Sequence, residues 1–404
     1  MTFQTAVAIV SALGAFGSWA WIVLLAGIVR HRRAWVRLSD CPADPPQGGW
    51  PGVAVIFAAR DEEAGVGRAT RSMLAQEAPV TEVLAVDDRS TDATGAILDA
   101  LAAADPRLRV VHVRELPPGW LGKNHALQAA AETTAARWLL FTDADVVFTP
   151  GSVGKAVAWA ESNGLDHLTV APEVPTETYG ERVFLAFFSL AFALHAPPWR
   201  VTDPRRKASA GVGAFNLVRA DAFRAIGGLR RLSLSIDDDM RLGQALKFAG
   251  YRAGMVLGTG EVSVRWQVGL GGMVRGLEKN FFAALDFRLG AVPIVIGAVL
   301  LVGVLPHAGL FVGPWWQRAI CGAGVAAVAA MLEASGGLFG VRWYHALGLP
   351  LGALACVVAL IRSVVVTLRD GGVRWRGHHY PLGALKSHVR ERDAWARELW
   401  KSTH

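Results

Sequence analysis

Residues 5–29 are apolar or small throughout, without one charged side chain. A run of that length spans a bilayer as a helix. From residue 53 the pattern shortens. Largely apolar runs at 53–58, 82–86, 108–113 and 138–141 read as strands, and helical patterns follow the first three, ending near Leu74, Ala103 and Thr134. The continuous apolar character of 53–58 predicts a strand covered on both faces. Strand–helix alternation at this spacing predicts an α/β fold with a doubly wound, mostly parallel sheet. Polar clusters fall repeatedly at the predicted strand ends, where open α/β sheets bind ligands.

Beyond residue 150 the spacing predicts a helix over 153–159 and a strand over 167–170. The apolar and aromatic run 183–194 is too short to span a bilayer, and reads equally as a buried core helix or one lying in the membrane interface. Met273, Leu277, Phe281, Ala284 and Leu285 form a helical stripe, with Arg275, Lys279 and Arg288 on other faces. That predicts a single helix over 269–288, interfacial or packed on the preceding domain. Three more apolar runs follow at 291–312, 319–339 and 346–360, the middle one holding Glu333.

Composition sharpens this picture. The chain has 404 residues, is 52% hydrophobic and carries a formal charge of +7, with a mean hydropathy of +0.32. Such hydropathy points to a membrane. The basic balance has no Lys/Arg block with interleaved aromatics apart from the apolar segments, which argues against nucleic acid. Three cysteines in no recognisable spacing give neither a disulfide framework nor a metal motif. Arg30, His31, Arg32, Arg33 and Arg37 come after the first apolar run rather than before it. This is a stop-transfer pattern, and it places the chain beyond Arg37 in the cytoplasm. The tail is basic too, with Arg374, Arg376, Lys386, Arg390 and Arg392, so the positive-inside rule puts it in the cytoplasm. Three full C-terminal crossings would instead put it outside. The expectation is therefore two to three C-terminal spans.

Candidate chemistry gathers at the strand ends. Asp143 and Asp145 stand one residue apart after the fourth predicted strand, where two hard oxygen ligands suit Mg2+ or Mn2+ carrying a phosphate. Asp61 follows the first strand, and Asp87, Asp88 and Asp92 follow the second. Lys123 opens the third helix and can neutralise phosphate as a point charge. Gly211 and Gly213 lie in a stretch of small residues that lets the backbone approach a ligand. Asp237, Asp238 and Asp239 open a later helix, where crowding can raise a carboxyl pKa and poise a general base.

Taken in order, VDDRSTD (86–92), GKNHAL (122–127), TDAD (142–145) and DDMRLG (238–243) resemble the family-2 glycosyltransferases of the A-type, Rossmann-like nucleotide-sugar fold, over residues 53 to about 280. GWLGKNHA and the late GGVRWRGHHY are most similar to the membrane-bound, hopanoid-associated and carotenoid-type branch. The resemblance implies inverting, metal-dependent transfer from a nucleotide diphosphate sugar, with a UDP-sugar expected, and the membrane segments suggest an amphiphilic acceptor such as a hopanoid, carotenoid-like or polyprenyl lipid. It implies that Asp88 contacts the base with Asp61 near it, that Asp143 approaches ribose and diphosphate, and that Asp145 holds the metal. Gly211 and Gly213 would line the acceptor pocket. The family's acidic pair falls on Asp238 and Asp239, with Asp239 favoured as the base. Two departures matter. Ala58 and Asp61 stand where the family usually has Pro and Asn. Arg265-Trp266 lacks the processive signature, having Val262 where Gln would stand, which points to transfer of a single sugar.

The implied organisation is an anchor (1–30), a basic linker (31–52), a catalytic domain (53–268, divided at 150), an interfacial helix (269–290), a membrane region (291–368) and a basic cytoplasmic tail (369–404). The expected setting is a multi-pass protein of the cytoplasmic membrane. A membrane scaffold that only binds nucleotide and a nucleotidyltransferase on a similar sheet are the alternatives.

Overall fold

The computed structural model describes residues 2–335 and 339–403, so residues 336–338 of the run 319–339 and the two terminal residues lie outside the described residues. In chain order the elements begin with α1 (Phe3–Arg30), β1 (Val53–Ala59), α2 (Val66–Leu74), β2 (Val80–Asp88), α3 (Thr94–Ala104), β3 (Leu108–Val113), α4 (Gly122–Ala131), β4 (Trp138–Asp143) and β5 (Val147–Phe148). The middle of the chain forms α5 (Ser152–Ser162), β6 (His167–Glu173), α6 (Tyr179–His195), α7 (Pro198–Val201), β7 (Asn216–Arg219), α8 (Ala220–Ala225), α9 (Asp238–Phe248) and β8 (Ala253–Ser263). The remainder forms α10 (Gly269–Gly276), α11 (Phe281–Ala284), α12 (Ala291–Gly303), α13 (Leu305–Ala308), α14 (Trp315–Ala334), α15 (Leu349–Arg369), β9 (Gly372–Trp375), β10 (His378–Pro381) and α16 (Leu382–Thr403). These make two compact units. One holds residues 35–173, 198–265 and 383–404; the other holds 1–34, 174–197 and 266–382.

The first unit is built on an eight-stranded mixed sheet of order β3-β2-β1-β4-β7-β6-β8-β5. β3, β2, β1 and β4 run parallel, and β7 is antiparallel to both its neighbours. Along β1, Val53, Val55 and Phe57 enter one core with Met73, Leu98 and Leu140, while Ala54 and Ile56 enter the other with Leu84, Leu127 and Phe141. Burial on both faces is why the strand reads as an unbroken apolar run. Register then sets the site. Ala58 pairs with Asp143 and Ala59 with Asp87, so the polar residues at the ends of β1, β2 and β4 meet along one edge.

Two segments outside the expected catalytic span also belong to this unit. Leu38 is fully buried, and the Leu257 amide donates to the Val36 carbonyl at 2.9 Å. Within the stretch expected as a linker, Val36, Leu38, Cys41 and Trp50 therefore pack on the core of the sheet, while most of the rest is exposed. Of the basic tail, α16 belongs here while 369–382 group with the other unit; α16 is held by Phe248 against Trp400 at 5.1 Å, by the Thr403 hydroxyl donating to the Phe248 carbonyl at 2.7 Å, and by a 3.2 Å hydrogen bond between Ser235 and His388.

The second unit is helical apart from the antiparallel β9–β10 pair. Its helices meet through small residues, as close-packed membrane helices do. A Cβ on Gly17 would lie 2.0 Å from the Leu301 carbonyl oxygen, and one on Gly352 would lie 2.1 Å from that of Val183. The Trp21 indole donates to the Val302 carbonyl at 2.7 Å. Residues 183–194 lie in α6, which groups with this unit by contact and not with the catalytic half that its position in the chain suggested. The helix expected over 269–288 is two short ones, α10 and α11, and ends where Asp286 and Phe287 take positive φ of 53° and 55°. Among the described residues three helices are long and apolar enough to cross a membrane: Phe3–Arg30, Ala291–Ala308 and Trp343–Arg369. That gives one N-terminal and two C-terminal candidate spans. α14, carrying Gln317, Arg318 and Glu333, is not among them.

Candidate active site

The loops after β1 and β2 are laced together. Asp61 accepts from the Thr91 amide at 2.7 Å and the Thr91 hydroxyl at 3.1 Å, and its own amide donates to Ser90 Oγ at 3.1 Å. Glu63 accepts from the Ala93 amide at 3.0 Å while the Glu63 amide donates to Asp92 at 3.1 Å. Asp61 adopts φ 52°, a left-handed conformation that Asp tolerates better than most residues. Asp88 is 5% exposed, and both its oxygens accept from the Arg89 guanidinium, at 2.8 and 3.0 Å. A Cβ on Gly122 would lie 2.1 Å from Asp88 Oδ2, so the start of α4 rests directly on this carboxylate.

α4 carries the cation of the site. Lys123 Nζ lies 2.7 Å from Asp143 Oδ1 and 3.8 Å from Asp238 Oδ2. Burial opposes its charge, but Asp143, Asp238 and Asp239 outweigh burial and hold the ammonium pKa above its usual range. The next residue, Asn124, is fully buried and donates to the Leu232 carbonyl at 2.8 Å and the Ser235 carbonyl at 3.0 Å. Gln128, one turn further, accepts from the Leu229 amide at 2.6 Å. This face of α4 thus fixes the segment that leads into α9.

The three acids at the start of α9 separate. Asp237 pairs with Arg241 at 2.8 Å. Asp238 faces Lys123. Asp239 accepts from the Met240 amide at 2.8 Å and shares a pocket with Lys123, Phe141, Thr142, Gly213 and Asp238. Burial first, and the charge of Asp238 second, push the Asp239 carboxyl up to about 7. Gly213 sits between two acids: its Cβ would lie 2.8 Å from Asp143 Oδ2 and 3.4 Å from Asp239 Oδ2. A Cβ on Gly211 would lie 1.9 Å from the Asp239 carbonyl oxygen, so that glycine is pressed against the main chain of α9. The small-residue stretch 210–215 precedes β7 as a loop.

Asp145 stands apart from the lysine group, its Cβ 3.7 Å from where a Gly65 Cβ would be. Burial, then Asp143 and Glu62, raise its carboxyl to about 6. Negative charge in excess of local compensation is what a divalent cation relieves, so the residues present fit a metal at Asp145. Among the described residues no group of three or more His, Cys, Asp or Glu side chains is placed to hold one. Phosphate and water would have to complete the shell, as is usual for Mg2+. Of the residues expected from sequence, Lys123, Asp143, Gly213, Asp238 and Asp239 thus come together, Asp145 adjoins them, Asp88 ends β2 and Asp61 sits in the loop after β1. Arg89, Asn124 and Gln128 were not anticipated, although the i, i+4 spacing of Asn124 and Gln128 is a signal of a shared helix face.

The family model Glycosyl transferase family 2 matches residues 54–226, which span the sheet from β1 to the end of α8. The chain carries a glycosyl transferase family 2 domain. The 4,4'-diaponeurosporenoate glycosyltransferase of Staphylococcus aureus strain MRSA252 is 26% identical over 255 residues, 62% of this chain. That of strain USA300 is 26% identical over 253 residues. In both cases the alignment spans 65% of the length of the relative. In three dimensions the chain is similar to a mannosyltransferase from Pyrobaculum calidifontis solved in complex with GDP-Man and Mn2+. The TM-score is 0.55 at 19% identity, covering 90% of this chain and 99% of that one. That likeness supports the A-type fold around the family 2 domain. Asp238 and Asp239 lie past the span that the family model matches, and the fold brings them beside Lys123.

Proposed function

We propose that the protein transfers a single sugar, with inversion, from a nucleotide diphosphate sugar to a hydroxyl of an amphiphilic lipid at the cytoplasmic face of the membrane. The observation that carries this reading is the Lys123 ammonium beside Asp143 and Asp238 at the carboxyl edge of parallel strands. A family 2 domain and candidate membrane helices in one chain support it. So does the name of the S. aureus relatives, which specifies 4,4'-diaponeurosporenoate. A hopanoid, carotenoid-like or polyprenyl acceptor fits such a setting.

The donor lies along the strand edge, its nucleoside toward the laced loops of Asp61 and Asp88 and its diphosphate toward Asp143 and Lys123. Asp145 would hold a divalent ion, Mg2+ or Mn2+, whose charge stabilises the departing diphosphate. Lys123 offsets the same developing charge from the protein side. Asp239 accepts the acceptor hydroxyl proton. The freed oxygen bonds to the anomeric carbon from the opposite face as the bond to the diphosphate breaks. A carboxyl poised near neutrality suits that task.

The test is to incubate membranes containing the protein with a panel of labelled nucleotide sugars, extract the lipids and weigh the products. A glycosylated lipid with released nucleoside diphosphate is expected. Pyrophosphate release would indicate nucleotidyl transfer instead, and nucleotide binding without either product would indicate a scaffold.

A further inference from the structure

A buried chain of side chains ends on the main chain of Asp239. His167, in β6, is 1% exposed, and its Nε2 lies 2.5 Å from Asn216 Oδ1. Asn216, at the start of β7, is 2% exposed and donates from Nδ2 to the Asp239 carbonyl oxygen at 3.3 Å. These contacts assign the tautomer. The amide nitrogen is committed to a carbonyl, so the amide oxygen faces the ring and must accept, and His167 carries its proton on Nε2. Burial keeps the ring neutral, lowering its pKa to about 4. The ring also lies directly against α9: a Cβ on Gly243 would lie 3.0 Å from its Cε1. The sheet therefore meets the first turns of α9 at two points, and neither contact carries charge.

We propose that His167 and Asn216 are positioning residues for Asp239, setting through its main-chain carbonyl where the carboxylate meets the acceptor hydroxyl. This inference rests on Asp239 being the base of the proposed transfer. Lys123, Asp143 and Asp238 face Asp239 with charge and tune it electrostatically; His167 and Asn216, being neutral, act on its position. Gly211 belongs to the same arrangement, because the loop it occupies closes on the carbonyl that Asn216 holds. A small displacement of a reacting group can cost a large factor in rate without weakening ground-state binding.

The test uses the full chain in detergent with total membrane lipid and labelled UDP-glucose, UDP-N-acetylglucosamine or GDP-mannose. Label is counted in the lipid phase and as free sugar, and rates are normalised to the stoichiometry of nucleotide bound, which discounts misfolded protein. Asn216→Ala and His167→Leu are expected to lower kcat at least ten-fold while donor KM stays within two-fold. His167→Gln, which keeps an N–H within reach of Asn216, is expected to recover to within three-fold of the parent. If Asp239→Asn abolishes turnover but Asn216→Ala and His167→Leu keep their kcat, the positioning role is overturned. It is also overturned if His167→Gln falls as far as His167→Leu, since bulk rather than the hydrogen bond would then matter. An Asp239→Asn enzyme with unchanged turnover would overturn the base assignment itself. A parent chain that neither moves nor releases label would overturn both.

Discussion

The Lys123 ammonium donates to Asp143 at 2.7 Å and so ties the first turn of α4 to the last residue of β4. The same nitrogen lies 3.8 Å from Asp238 at the start of α9. One cation thus holds two acids that are distant in sequence. Removing it leaves several carboxylates facing one another. Lys123→Met is expected to abolish transfer and to destabilise the protein by about 1–3 kcal/mol, less than the usual cost of stranding buried charge because Asp143 is 41% exposed. Lys123→Arg should not restore activity, because the guanidinium is a wider, planar donor. Thermal unfolding in detergent, run beside a transfer assay, checks both; a fully active Lys123→Met enzyme would remove the lysine from the mechanism.

Asp239 gives the pH dependence its sign. A base must be ionised, so kcat/KM should climb through about pH 7, the value to which burial and Asp238 raise this carboxyl. Stability should run the other way. The unfolded chain releases this proton near pH 4, so above that the native state binds more protons than the unfolded state. Stability then falls as pH rises from about 4 through about 7. Asp239→Asn should lose activity yet gain stability above pH 7. Apparent Tm measured from pH 5 to pH 8.5 for both proteins reads the effect, and parallel curves would contradict it.

The two glycines of the 210–215 loop should differ in kind. Gly211→Ala drives a methyl into the Asp239 carbonyl 1.9 Å away, main chain that can give way only by shifting α9. Gly213→Ala meets the Asp143 carboxylate at 2.8 Å, a side chain that can turn aside. Overpacking of this sort costs about 1–3 kcal/mol. Gly211→Ala is therefore expected to lower both Tm and kcat, and Gly213→Ala chiefly to raise donor KM. The reverse assignment of effects would show that the loop moves as one piece.

Much of the candidate site's clustering was legible because strand ends announce themselves. Asp88 and Asp143 close apolar runs buried on both faces, and parallel register then brings such ends to one edge. Asp237 could have been set aside from sequence too, since it lies four residues before Arg241 and pairs with it. Other features are tertiary and leave no local trace. The run 183–194 is apolar, but nothing within it says which neighbours will cover it, and α6 joins the helical unit. Gly211 looks like a ligand-facing glycine until α9 is seen against it. Asn124 reads as a helix residue, and only the folded chain shows that it holds two carbonyls of the segment before Asp239. The basic tail carries amphipathic Trp395 and Trp400, but their partners lie far back in the chain.

Asp145 sets the expected metal dependence. Its carboxyl is raised to about 6 by burial and by Asp143 and Glu62, so an ion bound there must displace protons in mildly acidic buffer. The Mn2+ or Mg2+ concentration for half-maximal transfer should rise as pH falls below about 6. Asp145→Ala should abolish stimulation by the ion while the protein stays folded, and Asp145→Asn should weaken it at least ten-fold. Titrations of the ion at pH 5.5 and pH 7.5 decide the matter. Transfer that is insensitive to chelator in the parent protein would take the metal out of the reaction.

α16 carries an expectation for which side of the membrane the tail occupies. It packs in the same unit as the sheet, through Trp400 on Phe248 and Thr403 on the Phe248 carbonyl, so it shares the side of that unit. Two C-terminal candidate spans, an even number, return the chain to the side from which it left, whereas three full crossings would not. The native cysteines Cys41, Cys321 and Cys356 are buried, which leaves an engineered thiol to report alone. Arg71→Cys in α2 and Arg390→Cys in α16 are both at exposed positions. Each is expected to react with an impermeant maleimide only after the membrane is permeabilised. Phe311→Cys, after the first of the two C-terminal spans and 80% exposed, should react in intact cells. Labelling of Arg390→Cys from outside while Arg71→Cys stays protected would mean that α16 does not pack on the sheet in the membrane.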